Sequence, residues 1–163
     1  MSGTLDDAEA AVAFLSEERG VEPRDMILYG FSLGNGPTLH LAALLRGTGL
    51  RGVILRSPFS SGAAVASDLA NRYGSAYVPV GALPWPMDVW PNARLARDVD
   101  APVLVIHGDR DELISPWQPR QILENIPQQY RVEPFFRQNM GHFDVEKYPG
   151  YIARLREFIH AET

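Results

Sequence analysis

Three short stretches of this chain bring together the residue types needed for acyl transfer by an activated hydroxyl. Ser32 lies in Gly-Phe-Ser-Leu-Gly, residues 30–34, Asp109 and Asp111 lie in His-Gly-Asp-Arg-Asp, residues 107–111, and His142 lies in Gly-His-Phe-Asp, residues 141–144. A serine hydroxyl is a weak nucleophile until a base takes its proton, and the base needs an acid to hold its ring. Either aspartate could be that acid. Gly30 and Gly34 are expected to have no side chain because the serine sits on a strained turn hemmed in by a strand and a helix. The N-terminus of the helix that follows also favours a developing anion.

The flanking patterns supply elements that could position these groups. The apolar run Met26–Tyr29 reads as a strand buried on both faces. It is followed by a helix over Pro37–Arg46, with the proline tolerated in the first turn. A second strand is centred on Val53–Leu55 and a third runs over Val103–Ile106. Tyr130 to about Phe136 alternates more and contains Pro134, which predicts an edge strand. A helix from Thr4 precedes all four, with Thr4 as its cap and Leu5, Ala8, Val12 and Leu15 on one face. Another helix spans the Pro116–Ile126 region, and the last places Ile152, Leu155, Phe158 and Ile159 on one face. This alternation predicts an α/β fold of about four mainly parallel strands with helices on both sides. Ligands of such sheets bind beyond the carboxyl ends of the strands, where Ser32, Asp111 and His142 all fall.

Composition narrows the functional classes. The 163 residues suit one domain, with 45% hydrophobic and 21% charged residues. The net charge of −5, with basic residues scattered, argues against nucleic acid and anionic lipid as partners. There is no cysteine, which excludes a disulfide framework and a thiolate nucleophile. No stretch has the length and apolarity of a membrane span, and the N-terminal residues do not read as a signal peptide, so a cytoplasmic protein is expected.

With these motifs in view, "GFSLGNG", "ILRSPFSSG", "PVLVIHGDRDELIS" and "GHFDVE" resemble the α/β-hydrolase superfamily. The closest likeness is to the branch with little or no cap domain that includes protein depalmitoylases and bacterial relatives. It extends from about Thr4 to the C-terminus. It implies Ser32 as nucleophile, Asp111 as the acid of an H-G-x-x-D motif, His142 as base and Leu33 N–H as one oxyanion donor. The substrate implied is a small acyl ester or thioester, with no cofactor and no metal. The family's sheet has further strands before the helix at Thr4 and a second oxyanion donor on a loop among them. A truncated α/β-hydrolase fold is therefore expected, with the Met26–Tyr29 strand left as an apolar edge. Self-association or a complementing N-terminal chain is expected to cover that edge and so complete the site. A catalytically impaired half domain is the alternative reading. A flavodoxin-like binding module is disfavoured, because no Gly-rich phosphate loop follows the first strand.

Other residues carry plainer expectations. Tyr77–Leu95, rich in proline and aromatics, reads as a short cap-like loop within a single partial domain, 1–163. Trp85, Met87 and Trp117 are candidates for lining a substrate pocket, and Trp90 for packing. Asp111 has a competing role as cap of the helix near Pro116. His107 is expected to be a hydrogen-bonded structural histidine, His40 and His160 structural or solvated, and Asp144 a support for the His142 loop or a surface residue.

Overall fold

The computed structural model describes residues 2–74 and 90–161. Four strands, β1 (Ile27–Phe31), β2 (Gly52–Arg56), β3 (Val103–Gly108) and β4 (Phe135–Arg137), form one parallel sheet in the order β1-β2-β3-β4. The helices are α1 (Ser2–Glu17), α2 (Asn35–Leu44), α3 (Gly62–Tyr73), α4 (Asn92–Leu95), α5 (Trp117–Asn125) and α6 (Tyr151–His160). Sequence order and spatial order coincide, so each crossover advances the sheet by one strand.

The period-two alternation of side chains along a strand divides the core between the two faces. Val53, Leu55, Val103 and Val105 point to one side with Leu39, Ala42, Ile122 and Ile126 from α2, α5 and the end of α5. Ile54, Leu104 and Ile106 point to the other with Phe135, Met140, Tyr151 and Phe158. All five residues of β2 and all six of β3 are buried. That explains their unbroken apolar runs.

Several boundaries differ from the sequence expectations. Thr4 lies inside α1, which begins at Ser2, so it is not the helix cap. Val12 of α1 packs on the core, but Leu15 is exposed, and the expected apolar face is only partly covered. β3 continues to Gly108 and takes in His107. β4 begins only after Pro134, which lacks an N–H for the ladder, and Tyr130 instead ends a 3₁₀ turn. In α6 the buried side is Tyr151, Leu155 and Phe158, at helical spacing i, i+4 and i+7, while Ile152 and Ile159 face outward. Of the two α-helices described between β2 and β3, α3 is not located in the sequence; it starts where Ser61 Oγ accepts the Ala64 N–H at 3.1 Å.

β1 forms one edge of the described sheet, and its Tyr29 is 44% exposed. Trp85, Met87 and most of the Tyr77–Leu95 stretch lie outside the described residues. Among the described residues no helix is long and apolar enough to cross a membrane.

Candidate active site

The carboxyl ends of β1, β3 and β4 bring the three predicted groups together. Ser32 follows β1 directly, at φ 50°, in the left-handed region that is strained for a residue with a side chain. The turn that holds it is crowded on one side. A Cβ on Gly30 would stand 2.7 Å from Thr38 Oγ1 and 2.9 Å from Asn35 Cα, so the glycine is required for α2 to start this close to β1. At Gly34, by contrast, a Cβ would meet no described atom within 4 Å, contrary to the expectation that both flanking glycines relieve a clash. The crowded partner is Gly36, where a Cβ would lie 2.4 Å from the Trp90 indole. Trp90 thus packs against the first turn of α2.

Asn35 completes the turn and went unnoticed in the sequence. It is fully buried, and its Nδ2 donates to the carbonyls of Ser32 at 2.8 Å and Arg56 at 2.9 Å. One side chain therefore ties the Ser32 backbone to the end of β2. No motif flags it, because its partners are carbonyls far apart in sequence.

The loops after β3 and β4 are joined by a close backbone approach. A Cβ on Gly108 would fall 1.9 Å from the Met140 carbonyl oxygen, so only glycine lets the end of β3 pass the segment before His142. Arg110 N–H donates to that same carbonyl at 3.1 Å. The Gly141 N–H is held by Asp144 Oδ1 at 2.8 Å, which gives Asp144 its supporting role.

Side-chain geometry then distinguishes the two aspartates. Asp111 Oδ2 is 2.7 Å from His142 Nδ1, and His142 Nε2 is 3.0 Å from Ser32 Oγ. Asp111 Oδ1 accepts the N–H groups of Leu113 at 2.9 Å and Ile114 at 2.8 Å. Asp109 is exposed and accepts the Asn139 N–H at 2.6 Å, so it braces the neighbouring loop. Asp111 does not cap α5, which begins at Trp117 without a side-chain cap.

Asp111 and His142 are both almost wholly buried. Burial pushes the Asp111 carboxyl up, but the hydrogen bonds from His142, Ile114 and Leu113 outweigh it, and the net pKa is lowered. A carboxylate at this distance favours the tautomer with its proton on His142 Nδ1, which turns the Nε2 lone pair towards Ser32. The imidazole packs at 5.1 Å from the Phe31 ring and 4.7 Å from the Phe143 ring. Arg56 stacks on the Phe31 ring, 4.2 Å from its centroid, and pairs with Glu146 in the segment after His142.

The remaining candidates fall elsewhere. Leu33 is 65% exposed beside Ser32. Trp117 opens α5 and its indole N–H donates to Asp68 of α3 at 3.4 Å, so it is tied to α3 and not to the three hydrogen-bonded side chains. His40 pairs with Glu9 of α1 at 2.8 Å, and His160 is exposed at the end of α6. His107 is buried, and among the described residues neither ring nitrogen has a hydrogen-bond partner, which departs from the expectation of a satisfied structural histidine.

This arrangement of sheet and loops is an α/β-hydrolase fold, described here over part of that fold's length. Solved structures with the same architecture include an esterase from Pyrococcus furiosus, with a TM-score of 0.72 and 15% identity over 95% of this chain and 60% of the other. The acetyl xylan esterase 1 of Thermoanaerobacterium has a TM-score of 0.70 and 21% identity, over 95% of this chain and 51% of the other. In sequence, the chain is similar to the human alpha/beta hydrolase domain-containing protein 17B, at 35% identity over 157 residues, 96% of this chain and 49% of the relative. The 17C protein of Xenopus tropicalis is 36% identical over 157 residues, 96% of this chain and 45% of the relative. The chain thus spans about half the length of these relatives. No family model matches it.

Proposed function

We propose that this chain carries the site of a serine hydrolase acting on carboxylic esters or thioesters. The observation that carries the reading is the unbroken line from Ser32 Oγ through the His142 ring to Asp111, at 3.0 and 2.7 Å. In the proposed reaction Ser32 Oγ bonds to the acyl carbon while His142 Nε2 takes its proton. Asp111 holds the ring and faces the resulting imidazolium. The acyl–oxygen or acyl–sulfur bond then breaks, and the leaving group departs with the proton from His142. Water, activated by the same imidazole, releases the acid and restores Ser32. Leu33 N–H is one donor to the oxyanion in both steps.

The experiment is turnover of a short p-nitrophenyl ester by the wild type and Ser32→Ala, with fluorophosphonate labelling in parallel. Labelling confined to Ser32 and lost with turnover in the variant is expected. Labelling that persists in Ser32→Ala overturns the assignment.

A second reading concerns completeness, and the exposed Tyr29 on the β1 edge favours it. A further donor to the oxyanion would be contributed by a segment or second chain laid along β1. Loss of one such donor lowers rates by about a hundred to a thousand fold. A monodisperse monomer with undiminished turnover at every concentration would refute the need for this partner.

A further inference from the structure

His107 is a buried titratable side chain that the proposed reaction leaves without a task. It is 3% exposed at the end of β3, and both ring nitrogens lack a hydrogen-bond partner among the described residues. Its Nδ1 stands 3.7 Å from Asp111 Oδ2, the same oxygen that receives His142 Nδ1 at 2.7 Å. A carboxylate offers about four acceptor positions. On Asp111, Leu113 and Ile114 occupy the two on Oδ1, and His142 takes one on Oδ2. The remaining lone pair is the one His107 can reach.

Three kinds of group surround the His107 ring. Asp111 lies beside it on the following loop, His142 on the loop before α6, and Arg120 on α5, with Asp109 and Arg137 lining the same cleft. Burial, helped by His142 and Arg120, lowers its pKa to about 4 against the opposing pull of Asp111 and of the Ile114 carbonyl, which stands near the ring without reaching hydrogen-bond geometry. At neutral pH the ring therefore has one N–H to give. A bare Nδ1 lone pair facing a carboxylate is repulsive, whereas an Nδ1–H there is attractive.

We infer that His107 is a positioning residue for the acid. Its Nδ1–H closes on Asp111 Oδ2 as His142 accepts the Ser32 proton, and so provides the fourth donor to the carboxylate. Catalytic hydrogen bonds are commonly long in a resting site and tighten when charge develops. The consequence is chemical. With negative charge drawn off Oδ2, the Nδ1 proton stays on His142 instead of passing to Asp111, so the ring keeps the positive charge that makes its Nε2–H, the proton taken from Ser32, ready to go to the leaving group. This role rests on the serine-hydrolase reading above.

Two measurements test it. In resting protein with ¹⁵N-labelled histidine, His107 should be protonated on Nδ1 at neutral pH, and an Nε2-protonated ring overturns the proposal. In kinetics, His107→Leu should lower kcat about tenfold with KM within a factor of two, and move the midpoint of the acid limb of kcat/KM upward by about one pH unit. His107→Asn, which keeps an N–H near the Nδ1 position, should recover most of both effects. An Asn variant as impaired as the Leu variant, in folded protein, also overturns the proposal. Failure of the hydrolase reading itself would appear differently, as turnover that survives Ser32→Ala, whatever the tautomer of His107.

Discussion

Replacing Gly36 by alanine should damage the fold more than the same change at Gly34, although Gly34 belongs to the serine motif and Gly36 does not. The Cβ at 36 would sit 2.4 Å from two atoms of the Trp90 indole. Ordinary carbon contacts are about 3.5–4.0 Å, so the ring or the helix must yield by roughly 1 Å or more. Trp90 cannot swing freely, because its backbone is itself in the left-handed region at φ 67° and the next residue is Pro91. Overpacking of this kind costs about 1–3 kcal/mol. At Gly34 the backbone is helical, at φ −61° and ψ −15°, and the new methyl meets no described atom within 4 Å. Alanine there should stabilise by about 0.4–1 kcal/mol, by restricting the unfolded chain. For a chain of this size each kcal/mol moves Tm by about 2–4 °C. Thermal unfolding followed by circular dichroism should therefore place Gly36→Ala roughly 2–12 °C below the wild type and Gly34→Ala slightly above it. Adding Trp90→Leu to Gly36→Ala should recover part of the loss, as a double-mutant cycle would read. A Gly36→Ala protein as stable as wild type, or a cycle with no coupling, would refute the packing argument.

Two further outcomes follow from the buried groups. His107 has a folded pKa of about 4 against an ordinary 6.5, so the unfolded chain binds a proton in that interval that the native chain refuses. Stability should then fall as pH drops from 6.5 to 4, by about 3 kcal/mol, and His107→Leu should flatten that slope; parallel urea-unfolding curves for the two proteins would sink the assignment. Asp111, with its pKa lowered, acts in the opposite sense and in another window. Its contribution is complete above the ordinary carboxylate range and is lost only as pH falls through and below it. For turnover, Asp111→Asn should lower kcat of ester hydrolysis by about ten-thousand fold, because the amide cannot hold the imidazolium and can favour the wrong tautomer. Asp109→Asn should leave kcat within a few fold, and equal losses in the two variants would show that the acid is misassigned.

Much of the architecture was legible in local pattern. Unbroken apolar runs at Val53–Leu55 and Val103–Ile106 announced strands buried on both faces, and alternation with helical spacing implied the parallel sheet. Serine, aspartate and histidine in that order, each just beyond a strand, marked the end of the sheet where chemistry would lie. These features are readable because periodicity and turn chemistry depend on neighbours in the chain. The limits of β4 and the buried side of α6 were not, since they depend on which surface each segment meets.

Local pattern thus carried the fold class and pointed to Ser32, an aspartate and His142 as the groups of the proposed site. Which of Asp109 and Asp111 pairs with His142 emerges only in three dimensions, since the two are of the same type two positions apart and the hydrogen bond comes from a loop about thirty residues away. The steric burden of the motif likewise falls on Gly36 instead of Gly34, Asn35 enters as the clamp of the serine turn, and His107, beside Asp111, has no hydrogen-bond partner among the described residues. Each of these rests on atoms distant in sequence coming within a few ångströms of each other, and no spacing along the chain encodes such a meeting.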